Sequence, residues 1–283
     1  MSGIEIAAVA AAAYAAVVAA LPAIIISVAL NLVISLLIGA PKSTSVNTIS
    51  GARMSDTGVP TSNYGIPIGW VYSDTRVTGT LIWANQIREA KSITVAQQTS
   101  GGGKSGKSKT ISRITSFSYF ADFAILLCKG PITSIVTLKM NGKTISDEFI
   151  TKYVRVYLGT DTQTPDTLIT DILGVDAVPA YRGRAYLVFD NVPLEDFGNH
   201  IPEVSAIVRS PINTVGGMID DLMGETQIVS YTKDSAINSL PLTGAAVNEI
   251  STVRGGLQTI SAAYGFISTE SDGTVKFIKG RAG

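Results

Sequence analysis

Residues 117–143 read FSYFADFAILLCKGPITSIVTLKMNGK. Ala121, Phe123 and Ile125 fall on one face of an extended chain, and Phe120, Ala124 and Leu126 on the other. A run that is apolar on both faces belongs to a strand covered on both sides. Gly130-Pro131 and Asn141-Gly142 are turn signals, because glycine supplies a positive φ and proline presets its own. Between them Ile132, Ser134 and Val136 alternate with Thr133, Ile135 and Thr137, the period of a strand. The stretch predicts the core of a mainly β (α+β) protein, with barrel- or sandwich-like domains and a few short helices.

The 283 residues suffice for two compact units and an appendage. Lysines and arginines number 22, as do aspartates and glutamates, so no global field draws the chain to nucleic acid or acidic surfaces. One cysteine excludes an internal disulfide, and one histidine excludes a His-rich metal site. Cys128, inside the apolar run, reads as core packing. His200, in the turn FGNHIP, has no cysteine and no second histidine near it in sequence.

Residues 4–40 are almost wholly apolar, with Glu5 the only charge. Pro22 divides them into an Ala-rich half and a greasier half holding Ile24, Ile25, Ile26, Leu30, Leu32, Val33, Ile34, Leu36 and Leu37. Each half approaches the length of a membrane span, but alanine is only weakly hydrophobic, so the second half is the one that would insert. The absence of a basic n-region and the length of the stretch argue against a cleaved signal. Three readings stand side by side. The head is a membrane anchor, a helix or helical hairpin packed on copies of itself or an apolar partner, or a segment held in a particle and released into a membrane later. Residues 41–56, rich in Ser, Thr and Gly, read as a linker.

From Ser62 the pattern is β again. A turn at Tyr64–Pro67 precedes short strands over Gly69–Tyr72 and Val77–Trp83, with Gly79 marking a bulge or a close backbone approach and Trp83 an apolar anchor. Gly101, Gly106, Lys107 and Ser108 then satisfy the P-loop pattern G-x-x-x-x-G-K-S, with AYLVFD at 185–190 offering a Walker-B-like run. A P-loop joins a buried strand to a helix whose N-terminus holds phosphate. Here KSITVAQQT upstream is polar and KTISRITSFSYF downstream alternates as a strand, so the motif reads as a decoy: a basic Gly/Ser loop at the tip of a long hairpin.

Beyond 143 the pattern predicts a polar turn, a strand through YVRVYLGT, and a short helix over Thr164–Leu173 that Gly174 ends. Strands follow at Ala185–Phe189 and Glu203–Val208. Arg182 invites a catalytic reading, yet a salt bridge or a clamp on a carbonyl suits it better. Ile212, Val215, Ile219, Leu222 and Met223 have helical spacing up to Gly224, GETQIVSYT reads as a strand, and a second helix runs about Val247–Tyr264 with Ile250, Val253, Leu257 and Ile260 on one face. GFISTESDGTVKFIKG is a hairpin turning at Asp272-Gly273. No Ser-His-Asp set, close carboxylate pair or metal-ligand cluster is found in the sequence, which predicts neither enzyme nor cofactor. The domain plan is a helical head at 1–40, a linker at 41–56, a β-rich region at 57–210 and a helix-and-hairpin domain at 211–283.

Several of these landmarks together resemble the hub protein at the tail tip of long-tailed phages and gene transfer agents. In the central stretch Cys128, Gly130, Pro131, Ile132, Gly142 and Lys143 match, while Lys139 and Met140 replace the Trp and Ala of that family's hairpin. Upstream, Tyr64, Gly65, Ile66, Pro67, Val71, Tyr72, Arg76, Val77, Gly79, Ile82, Trp83 and Ala84 match. Downstream, Tyr157-Leu158-Gly159, Gln163, Pro165-Asp166, Tyr181-Arg182-Gly183, Ala185-Tyr186, Val188-Phe189, Pro193-Leu194, Phe197-Gly198-Asn199 and Ile201-Pro202 match. The resemblance covers about 57–283, and the family also begins with an apolar stretch and has a Gly/Lys loop near 101–107.

These are scaffold positions, and the resemblance implies a structural protein. It implies a trimeric ring of tip or baseplate that caps the tail tube and surrounds the DNA conduit, without sequence-specific DNA binding. The implied partners are further copies, the distal tail or tail-tube protein, the tape-measure protein and other tip or fibre proteins, with host-membrane contact through 4–40. The implied location is the virion, after assembly in the host cytoplasm. Longer family members continue past the last hairpin, so the chain is expected to be either a short hub or a truncated one. Two other classes compete: a membrane-anchored envelope protein held by 4–40, and a P-loop nucleotidase that depends on Lys107.

Overall fold

The apolar run at the centre of the sequence is the end of a 22-residue strand, β6 (Ser108–Lys129). The computed structural model describes residues 46–50, 67–100, 108–228, 230–247 and 253–280. The apolar head with Ile24–Ile26, Leu30, Leu32, Val33, Leu36 and Leu37 lies outside the described residues, as do Tyr64-Gly65, Gly101, Gly106, Lys107 and Ile250. The chain divides into two units. One includes β1 (Val46–Ser50), Arg88–Phe120 and Pro193–Asn199; the other is Gly58–Ile87, Ala121–Val192 and His200–Gly283.

The first unit is built on the start of β6. β1 pairs with it in parallel, Val46 opposite Ile111 through Ser50 opposite Thr115. A strand therefore stands inside the stretch expected to be only a linker. β5 (Arg88–Ser100) pairs with β6 antiparallel over its whole length, from Arg88 opposite Phe120 to Ser100 opposite Ser108. Ser108 thus opens a strand, where a P-loop would require a helix.

The second unit is mainly β with short helices. β4 (Thr80–Ala84) pairs antiparallel with the end of β6. β10 (Arg184–Pro193) also borders β6 and pairs with β9 (Val154–Tyr157). Phe123 and Phe189 stack at 4.4 Å, and Ala121 to Ile125 are buried without a break, as a strand covered on both faces demands. A second sheet runs β3 (Asp74–Thr78), β11 (Val204–Arg209), β7 (Ser134–Met140), β8 (Lys143–Thr144). The turn into β8 has Asn141 at φ 47° and Gly142 at φ 79°, the expected geometry for Asn-Gly.

The segment expected as a polar turn after β8 is instead helix α1 (Asp147–Tyr153). Ser146 caps it, Asp147 and Glu148 stand in its first turn, Lys152 is in its last, and none of its residues is buried. Helix α2 (Thr167–Leu173) is capped by Asp166 and ends at Gly174, φ 94°. Only Ile169 of its apolar residues is buried; Ile172 and Leu173 face solvent.

The C-terminal part gathers its own core. Helix α3 (Val215–Gly224), α4 (Ser235–Asn238) and α5 (Val253–Tyr264) pack Met218, Ile219, Leu222, Ile237, Leu257 and Ile260 against Trp70, Tyr72, Phe266 and Phe277. β14 (Phe266–Ser271) and β15 (Thr274–Lys279) form the expected hairpin about Asp272-Gly273. Two expectations are corrected. The predicted strand through GETQIVSYT shrinks to β12 (Tyr231–Lys233), which pairs in parallel with β15. The helix expected from about Val247 is described over Val253–Tyr264, and Val247 itself belongs to a strand, β13 (Ala245–Val247), which pairs with β2 (Trp70–Tyr72). Those pairings are made across the sequence, where local periodicity carries no signal.

Candidate functional site

Two places concentrate polar chemistry or unsatisfied surface. The first is a polar knot where β9, β10 and α2 meet. The Asp166 carboxylate is fully buried and accepts four hydrogen bonds. Arg155 donates through Nε at 2.7 Å and Nη2 at 3.1 Å, Tyr157 through its hydroxyl at 2.8 Å, and Ile169 through its backbone N–H at 3.1 Å. Arg155 Nη1 also reaches Asp190 at 3.0 Å. Burial alone would push the Asp166 carboxyl up; the bonds from Arg155, Tyr157 and Ile169 outweigh it and hold it below its ordinary value. Burial, and then Asp166, push the Tyr157 hydroxyl up to about 12.

Tyr186 stacks on Tyr157 at 4.4 Å, and its buried hydroxyl makes no hydrogen bond. Burial raises its pKa as well. Next to the knot, Gln163 stitches the chain: Oε1 accepts from Gly159 N at 2.8 Å, and Nε2 donates to the carbonyls of Ala180 and Tyr181, each at 2.9 Å. Arg182 Nε donates to the Gln163 carbonyl at 3.2 Å, the clamp that its sequence context suggested. Each charged or amide group here is spent on holding backbone or a fixed partner. The knot fastens a helix to a sheet.

Cys128 is fully buried, and burial pushes its thiol up to about 12, the state of a packing residue. His200 lies exposed beyond the 3-10 turn at Glu195–Phe197. Among the described residues no group of three His, Cys, Asp or Glu is arranged to hold a metal, and no helix is long and apolar enough to cross a membrane.

The second place is the ribbon of the first unit. Residues 88–95 of β5 are all exposed, including Ile93 at 56% and Val95 at 50%. β6 lies on one side of β5, and no described strand lies on the other. A 13-residue edge of this kind, roughly 43 Å at about 3.3 Å per residue, is a template for pairing with another chain. The sequence announced the hairpin; it did not announce that residues 88–95 would be exposed on both faces, because alternation in KSITVAQQT is weak and exposure is a tertiary property.

No family model matches the sequence, and no curated protein does. A chain from a solved structure described as the virion of a native gene transfer agent particle shares the fold, with a TM-score of 0.57 and 22% identity over 82% of this chain. The match covers 58% of that longer chain, so the present chain spans somewhat over half the length of its structural neighbour.

Proposed function

We propose that the chain is a structural protein of a phage-type particle, acting as the hub of its tail tip or baseplate. The observation that carries this reading is the shared fold with a chain of a gene transfer agent virion across 82% of the sequence. The uncovered edge of β5 supports assembly: ring closure pairs such an edge with a neighbouring copy and removes it from solvent. Three copies then cap the tail tube around the DNA conduit, in contact with the tail-tube and tape-measure proteins and with tip or fibre proteins. Residues 4–40 pack near the axis on one another or on the tape measure, and enter the host envelope later. The chain performs no catalysis in this role, and its polar knot is scaffold.

Immunogold labelling of particles with antibody to residues 41–283 tests the reading. Label at the distal end of tails is the expected result. Protein confined to the membrane fraction, with unlabelled particles, would replace the hub with the second reading, an envelope protein anchored by 4–40, which the apolar composition of that segment favours.

A further inference from the structure

Two exposed patches of this chain mirror one another in chemistry. On β5, Lys91, Ile93 and Val95 alternate with Ser92 and Thr94 and so share one face, and Arg113 of β6 stands directly opposite Val95 on that face. Lys91, Ile93, Val95 and Arg113 are all exposed. Two aliphatic side chains are thus held between two cations. Around the end of α2 the sequence DILGVD, residues 171–176, does the converse. Ile172, Leu173 and Val175 are exposed, Val175 at 72%, and Asp171 and Asp176 bracket them, exposed as well. None of these four charged residues takes part in the ion pairs found among the described residues.

We infer that the Lys91–Val95 face of one copy docks on the 171–176 tip of a second copy of this chain. Aliphatic side chains standing in water gain by being covered. The charges select what covers them: cations around one patch and carboxylates around the other attract, while either patch set against its own duplicate brings like charges together. A chain that carries both halves needs no third partner, and since its net charge is zero no overall repulsion keeps copies apart. The two patches are different surfaces, so the contact runs head to tail, the type that closes into a ring where the rotation between copies allows it. It uses side chains on the face of β5 and leaves the backbone edge of that strand free to pair. The contact rests on the hub reading only for the ring it would help to build.

The test uses the full-length chain in mild detergent, carrying either Val95→Cys or Val175→Cys, and a short bis-maleimide as cross-linker. The Cys128 thiol is buried and does not compete. Residues 4–40 stay in every variant, so any association through them is common to all. The two variants, one of them tagged, should cross-link to each other several-fold faster than either does to itself. Reversing the charges on one side, Lys91→Glu with Arg113→Glu or Asp171→Lys with Asp176→Lys, should slow the mixed cross-link roughly tenfold. Pairing the two reversed chains should bring it back. Should a reversed chain not fold, salt reads the same charges: raising it from about 50 to about 500 mM should slow the unreversed pair several-fold. No preference for the mixed pair overturns the contact. So does a preference that neither reversal nor salt alters, or two reversals that fail to restore each other. Immunogold labelling separates the two readings: unlabelled tails sink the hub and leave the cross-link standing, while labelled tails without the cross-link sink the contact and leave the hub.

Discussion

Gly79 and Ile125 touch so closely that a Cβ on Gly79 would stand 2.1 Å from Cγ2 of Ile125 and 3.2 Å from the Val204 carbonyl oxygen. Gly79 N donates to that same carbonyl at 2.8 Å, and Ile125 is buried. Gly79 is the one residue between β3 and β4. Gly79→Ala should cost about 1–3 kcal/mol by overpacking, and Ile125→Ala about 2–5 kcal/mol by leaving a cavity. The double variant should cost clearly less than their sum, because each change relieves the fault of the other. Urea unfolding of the four proteins measures this, and additive losses would remove the contact from the account.

Asp166 binds the knot to pH. Its folded pKa is depressed, so its contribution to stability is present above the unfolded carboxylate value near ~3.9 and is lost as pH falls through the lower folded value. Asp166→Asn should lower stability at pH 7 by roughly 2–4 kcal/mol, below the range for a fully buried pair because Arg155 is about one-third exposed. Below about pH 4 the variant should lose stability less steeply than the parent. Thermal melts from pH 7 to 2.5 decide it; parallel curves would show that Asp166 is not the linked group.

The Cys128 thiol should resist labelling while the protein is folded. With its pKa near 12, only about one thiol in ten thousand is ionised at pH 8, and the sulfur is enclosed as well. A negatively charged disulfide reagent should react in denaturant within the mixing time and not at all in buffer. Rapid reaction in buffer would mean that the β6 strand opens.

Ile93→Lys with Val95→Lys places charges on the uncovered edge of β5, a device that edges use against pairing. Both positions are exposed, so the melting temperature should hardly move. Incorporation of the chain into particles should fall, and quantitative blotting of purified particles reads it. Undiminished incorporation would take β5 out of the assembly interface.

Deletion of residues 4–40 should leave the thermal transition of the remaining chain in place and impair particle assembly or DNA delivery. Infective particles at the normal titre would count against a role for the apolar head in either step.

Local chemistry made part of this molecule legible. Asp272-Gly273 and Asn141-Gly142 announced their turns because positive φ angles were needed there, and they have them. The both-sided apolarity of 121–125 announced a strand covered on both faces. Helix α1 escaped notice because it buries nothing and so carries no apolar stripe; its cap, Ser146, and its opening acids, Asp147 and Glu148, were the signal to read. β12 came out shorter than the expected strand and β13 escaped altogether for another reason, since each has three residues and owes its existence to a distant partner. The knot was half visible: Tyr157, Gln163 and Asp166 stood out as landmarks, but only the fold brings Arg155 to them.

Gly159 and Arg184 meet so tightly that a Cβ on Gly159 would come within 2.9 Å of the Arg184 carbonyl carbon, and Gln163 ties both ends of the segment between them. Residues 160–183, helix α2 included, are thus an excursion that leaves and re-enters the sheet at one point. Loop-closure entropy grows only slowly with length, so such an excursion is a natural place to graft foreign sequence. Its exposed tip at Ile172, Leu173 and Val175 is the segment that could be lengthened or replaced while the stem of β9 and β10 stays as it is.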